Sequence, residues 1–231
     1  MGPPDAPGIM TAGLSPVIQL TRAGTAVHAA AAGLTLLRNQ FARHHYVRLH
    51  GFLEPQLLGF IQSEAGRKDF DEIVNDELAQ RARNLILNGS ISQGMFYVLL
   101  MNDRALFQLV EQITGCGPIG SFTGRLYRMM PHRGDYASWH DDLAYHRLVA
   151  ISINVSTGAY LGGVLQIRDR KSGAIISEVQ NAQPGDAIVF RLSPDLEHRV
   201  TEVSGGVPRT AYSGWFCSEP VFQWSDVISN P

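Results

Sequence analysis

From Ser121 onward the chain falls into short runs of β-branched and aromatic residues separated by Gly, Pro and Asp. These are SFTGRLYRMM at 121–130, RLVAISINVS at 147–156, GGVLQIRD at 162–169, AIISEV at 174–179, DAIVFRL at 186–192, HRVTEV at 198–203 and RTAYSGWF at 209–216. Each run is too short for a core helix and is rich in residues that suit a pleated, half-buried surface. Short strands at this spacing bury their apolar faces by closing into a two-sheet sandwich or a barrel. This block therefore predicts an antiparallel β core over 121–217.

The first half reads differently. Residues 1–15, rich in Pro, Gly and Ala, read as a flexible start. TAVHAAAAGLTLLRNQFAR at 25–43 is Ala- and Leu-rich and predicts a helix. HHYVRLHGF at 44–52 reads as a strand, and LEPQLLGFIQSEAG at 53–66 as a second helix with Pro55 in its first turn. DELAQRARNLIL at 76–87 and SQGMFYVLLMNDRALFQLVEQIT at 92–114 read as further helices, ended by Gly115, Gly117 and Pro118. The expected plan is mostly β with N-terminal helices (α+β). It is one domain over 1–231, with a helical support over 20–118.

Composition narrows the function. A net charge of -2 leaves no basic footprint for nucleic acid or for an anionic membrane. Cys116 and Cys217 form no CxxC, so they read as reduced thiols rather than as a zinc ribbon or disulfide framework. The first residues lack a basic stretch followed by an apolar one, and no apolar run approaches the ~20 residues of a membrane span. A cytoplasmic protein is expected, with no nucleic-acid or membrane partner; oligomeric state is not legible.

SWHDD at 138–142 contains the first metal-ligating pattern. In an extended segment residues two apart share a face, so His140 and Asp142 can meet one ion while Asp141 points away. His198 follows a Pro-Asp turn 56 residues beyond Asp142 and supplies a third donor. Two imidazoles and one carboxylate on one side of an ion leave the opposite positions open, as in non-haem Fe(II) oxygenases. The chain has eight histidines, so an HxD alone carries little weight, and His146 is the nearest rival ligand.

From Gly124 to Phe216 the chain resembles the 2-oxoglutarate/Fe(II) oxygenase superfamily on its prolyl 4-hydroxylase-like side. The resemblance rests on elements in order. Tyr127 lies on a strand, followed by Gly134-Asp135, His140-x-Asp142 and Arg147. Then come Gly162-Gly163-Val164-Leu165, Pro184-Gly185-Asp186 with Phe190, His198-x-Val200, Arg209 and Ser213-Gly214-Trp215-Phe216. The resemblance implies a double-stranded β-helix, a jelly-roll core flanked by helices, with its catalytic part over 121–217 and its ligands at the open mouth.

The same resemblance implies the chemistry. The chain is expected to be a dioxygenase with Fe(II), 2-oxoglutarate as cosubstrate and O₂, and ascorbate as supporting reductant. It would hydroxylate an unactivated C–H of a peptide, amino acid or small metabolite and release succinate and CO₂. His140, Asp142 and His198 would hold the metal. Arg209 would pair with the distal carboxylate of 2-oxoglutarate, since a guanidinium fork matches a carboxylate and stays charged when buried. Tyr127 and Asn154 would add polar contacts to the same molecule, with Ser213 a weaker candidate. Tyr136 and Trp139 flank the ligand loop, Trp215 and Phe216 read as core, and Arg147 reads as an anchor for the loop.

Strand register bears on the placement of Arg209. If Gly205 and Gly206 form a two-residue hairpin turn, Glu202 pairs with Arg209. Arg209 then shares a face with His198 at roughly 13 Å, four residues at ~3.3 Å each. The same register allows a surface salt bridge between Arg209 and Glu202. Two other readings stay open: a cupin-like metal enzyme that does not use 2-oxoglutarate, and a non-catalytic jelly-roll binding module.

Overall fold

The computed structural model describes residues 16–28, 30–67, 69–77, 80–87, 103–180 and 183–219. The first described elements form a hairpin, β1 (Ile18–Thr21) and β2 (Gly24–Val27), in which Ile18 opposes Val27. α1 (Ala31–His44) follows, then β3 (Tyr46–Leu49) and α2 (Pro55–Gly66), with Pro55 in the first turn as expected. The first helix starts later than the sequence suggests because Thr25 to Val27 are taken up by the hairpin.

Next come β4 (Phe70–Glu77) and β5 (Gln80–Leu87), which pair along their whole lengths. This corrects the helix expected over 76–87. Glu, Leu, Ala, Gln and Arg favour helix by propensity, but propensity is a weak prior that pairing partners override. The partners are evident: β5 also pairs with two further strands, opposing Tyr127 through Ile86 and Ala137 through Ala82. Of the helix expected over 92–114, α3 (Arg104–Thr114) is described and residues 92–102 lie outside the described part. Asp103 caps α3 by accepting from Leu106 N at 3.1 Å, and Gly115 ends it in the left-handed conformation.

The β core then runs as expected. Its strands are β6 (Ser121–Met129), β7 (Tyr136–His140), β8 (Arg147–Asn154), β9 (Leu161–Gly162), β10 (Leu165–Asp169), β11 (Ile175–Val179), β12 (Ala187–Arg191), β13 (Leu196–Val200), β14 (Val203–Ser204) and β15 (Arg209–Cys217). Two arms form. One has the order β11-β10-β13-β7 and the other β6-β15-β8-β12-β3, with β5 joining them through β7 and β6. This is the antiparallel double-stranded β-helix plan.

Period-2 alternation sorts the side chains of the larger arm. Val149, Ile151 and Ile153 of β8 and Val189 of β12 pack with Phe41, Ile61, Phe107, Val110 and Phe216 in the core under the helices. Ala150, Ile188 and Phe190 point the other way, into a smaller core with Leu165, Ile167, Val179 and Leu196 of the opposite arm. The helices thus stiffen the back of one sheet and leave the space between the arms for a site. Among the described residues no helix is long and apolar enough to cross a membrane.

Candidate metal centre

β7 and β13 pair antiparallel with His140 directly opposite His198. That register brings the imidazole centroids to 4.2 Å. Asp142 lies two residues past His140, beyond the end of the strand, in a left-handed conformation with φ 60°. The convergence therefore does not come from a continuing extended segment, as the sequence spacing suggested, but from a strand end followed by a turn. Asp is among the few non-glycine residues that tolerate this conformation.

Asp142 Oδ2 lies 3.6 Å from His140 Nε2 and 3.2 Å from His198 Nε2. One donor atom from each of the three residues falls within 4.8 Å of the others, and they form the one such trio found among the described residues. His140 Nδ1 is 2.6 Å from the Ser138 carbonyl, which can only accept. In the neutral ring this puts the lone pair on Nε2, facing the other two groups. His198 is held edge-on to Phe190 at 4.8 Å. Asp141 does point away, to Arg170 at 2.8 Å, and the rival His146 pairs with Glu219 at the surface.

The trio is strongly coupled. Burial alone would raise the Asp142 carboxyl, but hydrogen bonds and charge from His140 and His198 outweigh it and hold it far below the carboxylate range. Burial opposes charge on His140, yet Asp142 and the Ser138 carbonyl raise its pKa above the usual value. For His198 burial and the neighbouring His140 win, and its pKa is lowered. Of the two imidazoles, His140 is thus the one whose surroundings favour the protonated form.

The three groups line a cavity of about 240 Å³ whose walls come from both arms. Arg209 lines it too and is buried, at 6% exposure. It reaches the cavity by a different route from the one the sequence suggested. β15 pairs with β6 and β8, so Arg209 opposes Met129, while Val203 and Ser204 pair with β9. The hairpin with Glu202 opposite Arg209 does not form, and the surface salt bridge goes with it: Glu202 is exposed. Arg209 Nη2 donates to Ser152 Oγ at 3.0 Å, Nη1 contacts Met129 Sδ at 3.7 Å, and the buried Nε has no partner. Ser213 Oγ sits 3.0 Å from Ser152 Oγ.

The GG pair explains how Arg209 fits. Gly163 has φ +59°, and a Cβ there would lie 2.7 Å from Arg209 Cδ and 3.0 Å from Tyr160 Cε2.

Of the remaining sequence candidates, Tyr127 and Ser213 line the cavity. Asn154 does not: it is fully buried, with Oδ1 accepting from Ser156 N at 2.9 Å. Tyr136 and Trp139 are not among the lining residues either. Trp139 lies between Arg168 and Arg199, at 4.3 and 4.7 Å from their guanidinium carbons. Sequence reasoning passed over Ser152, whose signal was a polar residue between Ala150 and Asn154 on one face of a largely apolar strand. It also read Trp215 as core and Arg147 as a loop anchor. Both line the cavity, and both bond the Asp142 carboxylate.

Residues 124–217 match the family model described as 2OG-Fe(II) oxygenase superfamily. No curated protein matches the chain. Solved structures with a similar fold include a Pseudomonas putida prolyl-4-hydroxylase, 18% identical over 80% of this chain and 99% of that one, with a TM-score of 0.56. Another is a Trichoplax adhaerens prolyl hydroxylase in complex with a hypoxia inducible factor peptide fragment, 13% identical over 83% and 94%, TM-score 0.56. A third is a non-heme alpha ketoglutarate dependent epimerase from nogalamycin biosynthesis, 14% identical over 82% of both chains, TM-score 0.60. At these identities the likeness is one of fold.

Proposed function

We propose that this chain, whose residues 124–217 match the 2OG-Fe(II) oxygenase superfamily model, is such an oxygenase and hydroxylates an unactivated C–H bond of a peptide, amino acid or small metabolite. In this reading His140, Asp142 and His198 are the iron ligands and Arg209 is the cosubstrate anchor. The observation that carries it is the convergence of the three donor atoms within 4.8 Å on the wall of the cavity that holds the unpaired Arg209 Nε. The residues fit both groups: two neutral-capable imidazoles and an ionised carboxylate suit a ferrous ion, and a buried guanidinium with a free N–H suits an anion.

When bound, iron and 2-oxoglutarate supply the oxygen chemistry, with decarboxylation to succinate and CO₂ coupled to insertion of oxygen into substrate. The protein's part is to bind, orient and exclude water. Asp142 stays ionised in the buried site and is thus available as a ligand without losing a proton. His140 must give up its proton for Nε2 to bind metal, and the Ser138 carbonyl keeps the ring oriented when it does. Arg209, held by Ser152, would donate to the distal carboxylate, with Tyr127 lining the same cavity. Ala150, Leu165, Val179, Ile188 and Phe190 line the cavity with apolar surface and keep bulk water from the reacting carbon.

The test is succinate formation from 2-oxoglutarate with Fe(II) and ascorbate across a panel of peptides, amino acids and small metabolites, with mass spectrometry for an added oxygen. One substrate class should raise succinate and gain oxygen, and His198→Ala should abolish both. Succinate formation that survives His198→Ala would sink the assignment.

A further inference from the structure

Asp142 is held by more than its two imidazole neighbours. Trp215 Nε1 donates to Oδ2 at 2.9 Å, and Arg147 Nη1 reaches Oδ1 at 3.3 Å. The two outer residues are joined to each other, because the Arg147 guanidinium lies 3.6 Å from the Trp215 ring centroid. β8 and β15 are paired neighbours, and the contact spans them: Arg147 opens β8, and Trp215 of β15 opposes Ala150.

From this geometry we infer that Trp215 and Arg147 are positioning residues that clamp the Asp142 carboxylate so that it offers one oxygen, Oδ2, to the metal. The inference rests on the ligand reading above and extends it. Oδ2 is the oxygen that faces both imidazole Nε2 atoms. Oδ1 is engaged by a permanently charged donor and is thereby withheld from the ion. Indole N–H is a donor only, so Trp215 fixes Oδ2 without competing as a ligand. The clamp is needed because Asp142 sits outside regular structure. It occupies a left-handed turn beyond β7, followed by exposed Leu143 and by Tyr145 and His146, which also have positive φ. No strand pairing holds that backbone; the Arg147 Nη1 that reaches Oδ1 also lies 3.5 Å from the Asp142 carbonyl, so one guanidinium ties both the turn and its carboxylate. A carboxylate held by one oxygen would take up a single coordination position and leave the others open.

The experiment is Co(II) titration of the protein without turnover, read by the visible d–d absorption, together with thermal melting of the metal-free form. Trp215→Phe keeps the ring under Arg147 and removes only the N–H. Arg147→Lys keeps the charge and loses the fork. Each should weaken Co(II) binding by roughly 10-fold or more and change the d–d band shape, with little change in metal-free melting. Trp139→Phe removes an indole beside His140 that makes no contact with Asp142, and should leave affinity and spectrum as in the parent. Parental affinity and spectrum in both clamp variants would overturn the inference, as would an equal loss in Trp139→Phe. Failure of the parent protein to bind Co(II) at all would overturn the ligand reading itself. Binding by the parent and clamp variants alike would remove only the clamp.

Discussion

His140 and His198 face each other across the β7–β13 pair, and that single register, with ring centroids 4.2 Å apart, brings together two candidate ligands separated by most of the β core. Everything proposed for the centre follows from it. The imidazoles are fixed by sheet pairing, while Asp142 is fixed by the side chains that hold its carboxylate.

Arg209 should govern the cosubstrate. Its guanidinium is buried, anchored by Ser152, and keeps Nε free. Arg209→Ala removes the charge-assisted bonds to the distal carboxylate, worth about 1.5–3 kcal/mol, so KM for 2-oxoglutarate should rise about 10- to 150-fold. Initial rates against 2-oxoglutarate concentration check this. An unchanged KM would favour a metal enzyme that does not use this cosubstrate.

Gly163 should be required for Arg209 to sit where it does. In Gly163→Ala the new methyl meets Arg209 Cδ at 2.7 Å, at a φ of +59°. Gly173→Ala is the control, with φ +71° and no heavy atom within 4 Å. Both should lose about 1–2 kcal/mol from the left-handed backbone. Only Gly163→Ala should also raise KM for 2-oxoglutarate. Denaturant unfolding and steady-state kinetics separate the two effects.

Iron affinity should fall as pH falls. The His140 pKa is raised above 6.5 because Asp142 outweighs the burial that opposes charge. Metal binding needs the Nε2 lone pair, so that proton must leave. Below the raised pKa, affinity should drop by up to about tenfold per pH unit, the limit for one proton released per ion. Asp142 remains ionised throughout this range and adds nothing to the slope. Metal titrations at several pH values check it, and a flat profile would contradict the proton's placement on His140.

Asp103 should matter for stability and not for binding. It caps α3 through Leu106 N and also accepts from Thr25 N at 2.6 Å and Thr25 Oγ1 at 2.5 Å, tying the β1–β2 hairpin to the helix. It is not among the residues that line the cavity. Asp103→Ala should cost about 2 kcal/mol, from one cap and the hydrogen bonds to Thr25. Thermal unfolding should show the loss, with KM for 2-oxoglutarate unchanged.

The strand runs from Ser121 onward were legible because composition and turn signals are written locally: short β-branched and aromatic runs such as 147–156 are bounded by Gly, Pro and Asp. HxD, the later His198 and Arg209 were legible as residue types whose chemistry suits a metal and an anion. β5 was not: the run 76–87 has a composition that favours helix, and pairing with β4 along its whole length, with β6 and β7 at its other edge, makes it a strand. Asn154 lies off the cavity, with its Oδ1 accepting from Ser156 N in the following turn.

By itself the amino-acid sequence determined the local preferences: which segments pleat, where turns fall, and which side chains can bind metal or carboxylate. Tertiary structure alone decided that β15 pairs with β6 and β8, bringing Arg209 into the cavity and Trp215 against Asp142. The physical reason is that propensity and periodicity act over a few residues. Strand registers between distant segments are set instead by how the whole chain buries its apolar faces and satisfies its backbone hydrogen bonds at once.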